Sequence, residues 1–184
     1  MFLALSGCAG GVSHSLQQTL AVVAPVQIDF AEVHYYATRA DAAYHDISDI
    51  RRSFPMVTRV RTVASVDVQY FVETDPGQGT QTVSIRGTAE KPNIWQDIET
   101  ALIPDSILGF PIHRGFQADA RAILEDARPH LREDYDIRLT GHSLGGAVAA
   151  ILGLYLENEG FRIDRVMTFG EPLSLPRHLQ PQRA

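Results

Sequence analysis

Residues 141–146 read GHSLGG, and the reading of those six residues decides the fold. They set Ser143 between Gly141 and Gly145, with a further glycine at 146. Upstream, residues 135–140 carry Ile137 and Leu139 in alternation with polar neighbours, the period of a short strand. Downstream, residues 144–156 are rich in Ala, Leu and Ile, with Ala147, Ile151, Leu154 and Leu156 on or near one helical face. The expected local structure is strand, sharp turn, helix.

In that setting G-x-S-x-G has a mechanical meaning. A serine on a strained turn holds its hydroxyl out at the carboxyl edge of a sheet, and Gly141 and Gly145 lack the Cβ atoms that would keep strand and helix apart. A helix starting at Leu144 aims its unpaired N–H groups, and the positive end of its dipole, at the place where an oxyanion would form. Ser143 is therefore the candidate nucleophile of an acyl transfer.

The bulk numbers narrow the alternatives. A chain of 184 residues holds one domain with a real core, though it is short for an α/β enzyme. The net charge is −6, the isoelectric point is near 5.6, and the 16 basic residues form no dense block, which excludes a nucleic-acid partner. No apolar run reaches the roughly 18 residues of a spanning helix, and the stretch 20–26 is broken by Pro25, so no transmembrane span is expected. A single cysteine, Cys8, excludes an internal disulfide. No Cys/His cluster and no phosphate loop occurs, and GHSLGG lacks the lysine a P-loop requires, so no metal or other cofactor is expected.

Residues 1–26 read as a signal-like, lipoprotein-like or mobile segment, and residues 27–184 as the partial catalytic domain. Leu5-Ser6-Gly7-Cys8 resembles the lipobox at which bacterial lipoproteins are lipidated on the cysteine. The segment has no basic start and only residues 1–5 for an apolar stretch, where about 7 to 15 are usual. The expectation is a secreted protein or a lipoprotein anchored at Cys8, and a cytoplasmic one if the segment is not a signal.

From Asp29, a plausible N-cap, residues Phe30, Val33, Ala37, Ala40, Tyr44 and Ile47 recur at spacings of three and four and predict one amphipathic helix. His34 and His45 share a face of that helix but stand about 16 Å apart along it, so they cannot ligate one metal. Residues 57–63 and 66–72 have strand composition, and DPGQG at 75–79 is a turn before a strand at 80–86. Residues 89–104 place Pro92, Trp95, Ile98, Leu102 and Ile103 at partly helical spacing, readable as a lid or as a connecting helix with a buried Trp95. His113, read as structural, opens a helix with Phe116, Ala120, Ile123, Leu124, Ala127 and Leu131 on one face. Asn158-Glu159-Gly160 ends the helix after Ser143, and residues 165–169 form the next strand, closed by Gly170.

Five landmarks, IRGT (85–88), NIWQD (93–97), IHRGF (112–116), TGHSLGGA (140–147) and MTFGEP (167–172), together resemble the class 3, or fungal-type, lipases over about residues 57–172. The resemblance implies an α/β-hydrolase fold, a three-layer sandwich around a mostly parallel sheet that is incomplete at its C-terminus. It implies an oxyanion hole made by the Leu144 N–H with the N–H and side chain of Thr88, and places Trp95 in the lid region. It further implies hydrolysis of carboxylic esters, typically acylglycerols, through an acyl-enzyme on Ser143, with water as second substrate and a lipid interface as surroundings.

The sequence departs from the family after Ser143. A serine hydroxyl needs a histidine to take its proton and a carboxylate to orient that histidine. The family supplies both after further strands, in the order Ser, Asp, His. Here the later carboxylates are Glu157, Glu159, Asp164 and Glu171, and the later histidine is His178. Asp164 is expected before its strand, at the edge away from Ser143. Glu171 follows that strand at the correct edge, so Glu171 and His178 are the weak candidates for acid and base. The ending from Leu173 to Ala184 does not follow the family pattern, and a truncation or frameshift that removes about 80 to 110 residues is expected. The competing reading is an inactive lipase-fold protein that binds lipid or a partner. A thioesterase or feruloyl esterase would share every catalytic part.

Overall fold

Described by a computed structural model are residues 27–87 and 102–170. Its sheet begins where the sequence signals a hairpin. Strands β1 (Val57–Val63), β2 (Val68–Asp75) and β3 (Thr80–Ile85) pair in antiparallel succession. Asp75 Oδ1 accepts hydrogen bonds from the N–H groups of Gly77 and Gln78, at 2.9 and 3.1 Å, and Gly79 takes a φ of +64° that glycine adopts without penalty.

Two more strands join beyond β3. After the short pair β4 (Leu102–Pro104) and β5 (Pro111–His113) comes helix α3 in Arg114–Ala127, then β6 (Asp136–His142) and β7 (Arg162–Phe169). β6 lies parallel to β3 and β7 parallel to β6, giving the order β1-β2-β3-β6-β7. Only β2 opposes the common direction, so the sheet is mostly parallel, as expected.

Strand alternation sends side chains to two faces. On one face Tyr70, Val72, Val83, Ile85, Ile137 and Leu139 meet α3 and the helix after Ser143, α4 (Leu144–Asn158). On the other, α1 (Phe30–Ala42) and α2 (Ile47–Ser53) cover the sheet, and Phe71 packs with Ala42, Ala43 and Ile50. The result is helix, sheet, helix, the three-layer α/β arrangement.

Several boundaries differ from the sequence reading. Asp29 does cap α1, accepting from Ala31 N and Glu32 N at 2.9 and 3.2 Å, but the helix stops at Ala42. Tyr44 therefore falls in a turn, and Ile47 starts α2. The face α1 turns inward is Tyr36 and Ala40, while Phe30, the first residue of the helix, is 76% exposed, and the sheet opposite Tyr35 and Tyr36 presents Thr82 and Thr140. Tyr35 and Thr82 hydroxyls bond at 3.1 Å there, and the Thr140 hydroxyl donates to Tyr36 O at 3.4 Å. α4 is buried nearly all round, with Leu154 one of its less buried apolar positions, as a helix that packs against both the sheet and its neighbour α3 must be.

β2 begins at Val68 because residues 64–67 form a turn, with Asp67 at φ 52°. β7 begins at Arg162, three residues early, since cross-strand ion pairs carry its polar start: Arg162 Nε to Asp136 Oδ1 and Arg138 Nε to Asp164 Oδ2, both 2.7 Å. Asp164 thus lies inside the strand, not before it. Leu102 and Ile103, read at helical spacing, are extended in β4 and pair with His113 and Ile112. His34 and His45 are exposed, with His45 beyond the end of α1, and His113 rests its ring 4.4 Å from that of Phe116.

The β4–β5 connection is tied down by one buried carboxylate. Asp105 accepts from Ile107 N, Leu108 N, Gln117 Nε2 and Arg121 Nη2 at 2.9, 2.8, 2.6 and 3.0 Å, and from the Tyr155 hydroxyl. Burial opposes its charge, but the Tyr155 hydroxyl, the Leu108 N–H, the Arg121 guanidinium and the Gln117 amide outweigh it and hold the carboxyl well below the usual range. Replacing Asp105 by Ala is expected to cost about 3 to 5 kcal/mol in urea unfolding at neutral pH, since it strands buried donors and the Arg121 charge. Because the folded-state value is depressed, this stability is present above the unfolded value of about 4 and is lost as pH falls toward the folded one. The gap between parent and Asp105→Ala is accordingly expected to narrow between about pH 5 and 2.

Candidate active site

The turn between β6 and α4 is strained at one residue. Ser143 has φ 53° and ψ −127°, a conformation that costs a non-glycine residue about 1 to 3 kcal/mol and persists only when its surroundings enforce it. Backbone bonds enforce it here: Ser143 N–H donates to Phe169 O on β7 at 2.8 Å, and Ser143 O accepts from Gly146 N and Ala147 N at 2.9 and 3.3 Å.

Absent side chains enforce it too. A Cβ on Gly141 would run into the carbonyl of Gly145 and come within 2.8 Å of Gly146 N. One on Gly145 would strike Ile85 O and lie 2.7 Å from Gly87 N. Strand β6, the first turn of α4 and the end of β3 therefore touch backbone to backbone, and Ser143 stands half-buried at their junction.

The helix end supplies an electrostatic feature. Gly146 and Ala147 spend their N–H groups on Ser143 O, while the Leu144 N–H has no hydrogen-bond partner among the described residues. It stands at the positive end of a 15-residue helix. Ser143 and Leu144, expected as nucleophile and oxyanion donor, stand as neighbours at this turn. Thr88 is the residue after Gly87 and lies outside the described residues, as do Trp95, Glu171, His178 and Cys8. Asp164, bonded to Arg138 near the start of β7, is at the other end of the strand from Ser143.

One group near Ser143 gave no signal in the sequence. The Tyr44 hydroxyl lies 3.1 Å from His142 Nδ1 and 3.4 Å from His142 O, reaching across 98 positions of sequence to the residue before Ser143. Burial raises its pKa above the ordinary phenol value, partly offset by a hydrogen bond from the Gly87 backbone. Gly87 could have been singled out from IRGT, since a Cβ there would lie 2.5 Å from Tyr44 Oη and 2.6 Å from His142 O. Among the described residues no group of three or more His, Cys, Asp or Glu could hold a metal, and no helix is long and apolar enough to cross a membrane.

A parallel strand, a serine at positive φ and a helix N-terminus behind it define the α/β-hydrolase class of protein. Within that class the chain belongs to the class 3 lipase family, whose model matches residues 82–181. The secreted mono- and diacylglycerol lipase 1 of Fusarium solani is 26% identical over 167 residues, covering 78% of this chain and 50% of that protein. The secreted alkaline triacylglycerol lipase of Penicillium cyclopium is 28% identical over 141 residues, 66% of this chain and 47% of that one. The crystal structure of the lipase from Rhizopus microsporus var. chinensis superposes with a TM-score of 0.63 at 25% identity, covering 77% of this chain and 57% of that one. The chain spans about half the length of the curated relatives it matches.

The backbone contacts can be tested by adding a single methyl group. Gly145→Ala is expected to lower unfolding stability by about 3 kcal/mol, the upper range for overpacking, because its new Cβ meets backbone and not a movable side chain. Gly153→Ala, in the middle of α4, meets only the Val166 side chain at 3.2 Å and the Leu139 side chain at 3.6 Å. It is expected to change stability by less than about 1 kcal/mol in the same urea titration.

Proposed function

We propose that the protein is a serine hydrolase of carboxylic esters such as acylglycerols, with Ser143 as nucleophile. The observation that carries this reading is the strained Ser143 turn at the N-terminus of α4, next to the Leu144 N–H, which has no partner among the described residues. Ser143 Oγ attacks the ester carbonyl, the carbonyl oxygen becomes an oxyanion, and collapse expels the alcohol and leaves an acyl group on Ser143. Water then releases the acid. The oxyanion is assigned to the Leu144 N–H and to the N–H and side chain of Thr88, which follows directly on Gly87.

The proton from Ser143 goes to a histidine oriented by a carboxylate. Beyond Ser143 this sequence offers His178 as the base and Glu171, two positions after the last residue of β7 in sequence, as the acid. The catalytic domain is assigned to residues 27–184. Export is supported by the relatives, two of which are named as secreted lipases, and Cys8 within residues 1–26 is the proposed lipidation site. A water-insoluble lipid interface is the proposed setting for the substrate.

Hydrolysis of p-nitrophenyl butyrate and of a long-chain homologue by the 184-residue protein tests the reading. Ser143→Ala is expected to lower turnover at least about a thousandfold and to abolish labelling by a fluorophosphonate probe. Turnover or labelling that survives Ser143→Ala overturns the assignment. A folded protein with neither activity nor labelling supports instead a lipase-fold protein with a binding role.

A further inference from the structure

Ser143 is flanked by two planar peptide units, and its φ of 53° and ψ of −127° are set by how those two planes are held. In the unit after it, the Ser143 carbonyl accepts from Gly146 N and Ala147 N at 2.9 and 3.3 Å. In the unit before it, the Ser143 N–H donates to Phe169 O at 2.8 Å. These are all main-chain bonds. The carbonyl of that second unit belongs to His142, and it meets a side chain instead, the Tyr44 hydroxyl at 3.4 Å.

The same hydroxyl lies 3.1 Å from His142 Nδ1, and it has one proton for the two contacts. If that proton went to Nδ1, the His142 carbonyl would receive nothing from the phenol. Both contacts are hydrogen bonds in one arrangement only: Nδ1–H donates to the phenol oxygen, and the phenol O–H donates to His142 O. The imidazole proton then sits on Nδ1, and Nε2 carries the lone pair. Among the described residues no hydrogen bond engages Nε2, so nothing there holds the proton on the other nitrogen. The two rings stand 6.0 Å apart at 60°, so they meet through the hydroxyl and are not stacked.

We propose that Tyr44 and His142 close a two-bond ring, Nδ1–H to Oη and Oη–H to the His142 carbonyl, which fixes the peptide before Ser143 and so positions the nucleophile. The inference rests on the reading of Ser143 given above. Both are positioning residues that act through the Ser143 backbone and not on the ester. The phenol is anchored independently of the turn it braces. Gln69, buried on β2, donates through Nε2 to Ala43 O at 2.9 Å and His45 O at 2.8 Å, the carbonyls on either side of Tyr44. A nucleophile misplaced by about 1 Å can cost about a hundredfold in turnover, so the smaller shift allowed by losing one brace of several is felt in kcat before it is felt in binding.

The experiment reads the imidazole nitrogen shifts of His142 by NMR at about pH 8.5, above the ordinary imidazole value of about 6.5, together with kcat and KM on p-nitrophenyl butyrate. His142 is expected as the Nδ1–H tautomer in the parent chain. In Tyr44→Phe it is expected to revert to the Nε2–H form that a free neutral imidazole side chain favours, with kcat lowered about tenfold and KM within about twofold. His142→Ala is expected to lower kcat similarly. His142→Asn, whose amide N–H stands where Nδ1–H does, is expected to bring kcat back to within about threefold of the parent. Tyr35→Phe removes a different hydroxyl bond, the one from α1 to Thr82, and is expected to move neither readout. An Nε2–H tautomer in the parent overturns the inference, and so does an unchanged kcat in Tyr44→Phe of a protein whose turnover depends on Ser143. Where no turnover depends on Ser143, the reading of the site fails, and the tautomer alone decides the ring.

Discussion

Three stretches of backbone meet without side chains at Gly141, Gly145 and Gly87, and the rest of the molecule depends on that contact. It sets how close α4 lies to the sheet, and so which face of α4 meets Leu139 and Ile137. It allows the chain to reverse within the single residue Ser143 at φ 53°. It also brings the β3 end under the first turn of α4. The strain at Ser143 is offset locally, by a bond to Phe169 O on β7 and two from the first turn of α4 to its carbonyl.

Away from that junction the layers are joined by buried or half-buried ion pairs. Arginine does this almost alone, as all but one of the 16 basic residues are Arg. Arg39 grips both oxygens of Glu73, at 2.6 and 2.9 Å, and ties α1 to β2. Arg59 and the Tyr70 hydroxyl converge on Asp126, at 2.7 and 2.6 Å, and tie β1 and β2 to α3. The planar guanidinium suits these forked contacts as a lysine ammonium would not. The polar layer between α1 and the sheet follows the same logic, since Thr82 and Thr140 pair their hydroxyls with α1.

What the sequence disclosed was local. The DPGQG hairpin and the Gly141–Ser143–Gly145 turn could be read because their glycines and the Asp75 side chain answer demands made within a few residues. Boundaries that packing decides could not. α1 seemed to run through Tyr44 and Ile47 because the three-and-four spacing continues across a break after Ala42. The start of β7 escaped notice because Arg162, Asp164 and Arg165 look like a loop until Asp136 and Arg138 are placed opposite. At the candidate site, the sharp turn at Ser143 was legible, while the approach of Tyr44 to Gly87 and His142 was not, those residues being 43 and 98 positions away. Asp105 was equally silent, since beyond the local Ile107 and Leu108 N–H groups its side-chain partners lie on two later helices.

The bonds that hold Ser143 all engage its main chain. Its N–H goes to Phe169 and its carbonyl to Gly146 and Ala147, while among the described residues its hydroxyl has no hydrogen-bond partner. A side chain that helped hold the turn would have to leave a bond in order to react. Here the turn is maintained through main-chain groups, and among the described residues none of its bonds engages the hydroxyl. The Leu144 N–H is treated the same way: the bonds around it fix its direction, and among the described residues it has no partner. Rigidity supplied by backbone and glycine contacts, with the Ser143 hydroxyl and the Leu144 N–H without partners among the described residues, is what preorganisation would require of the nucleophile proposed above.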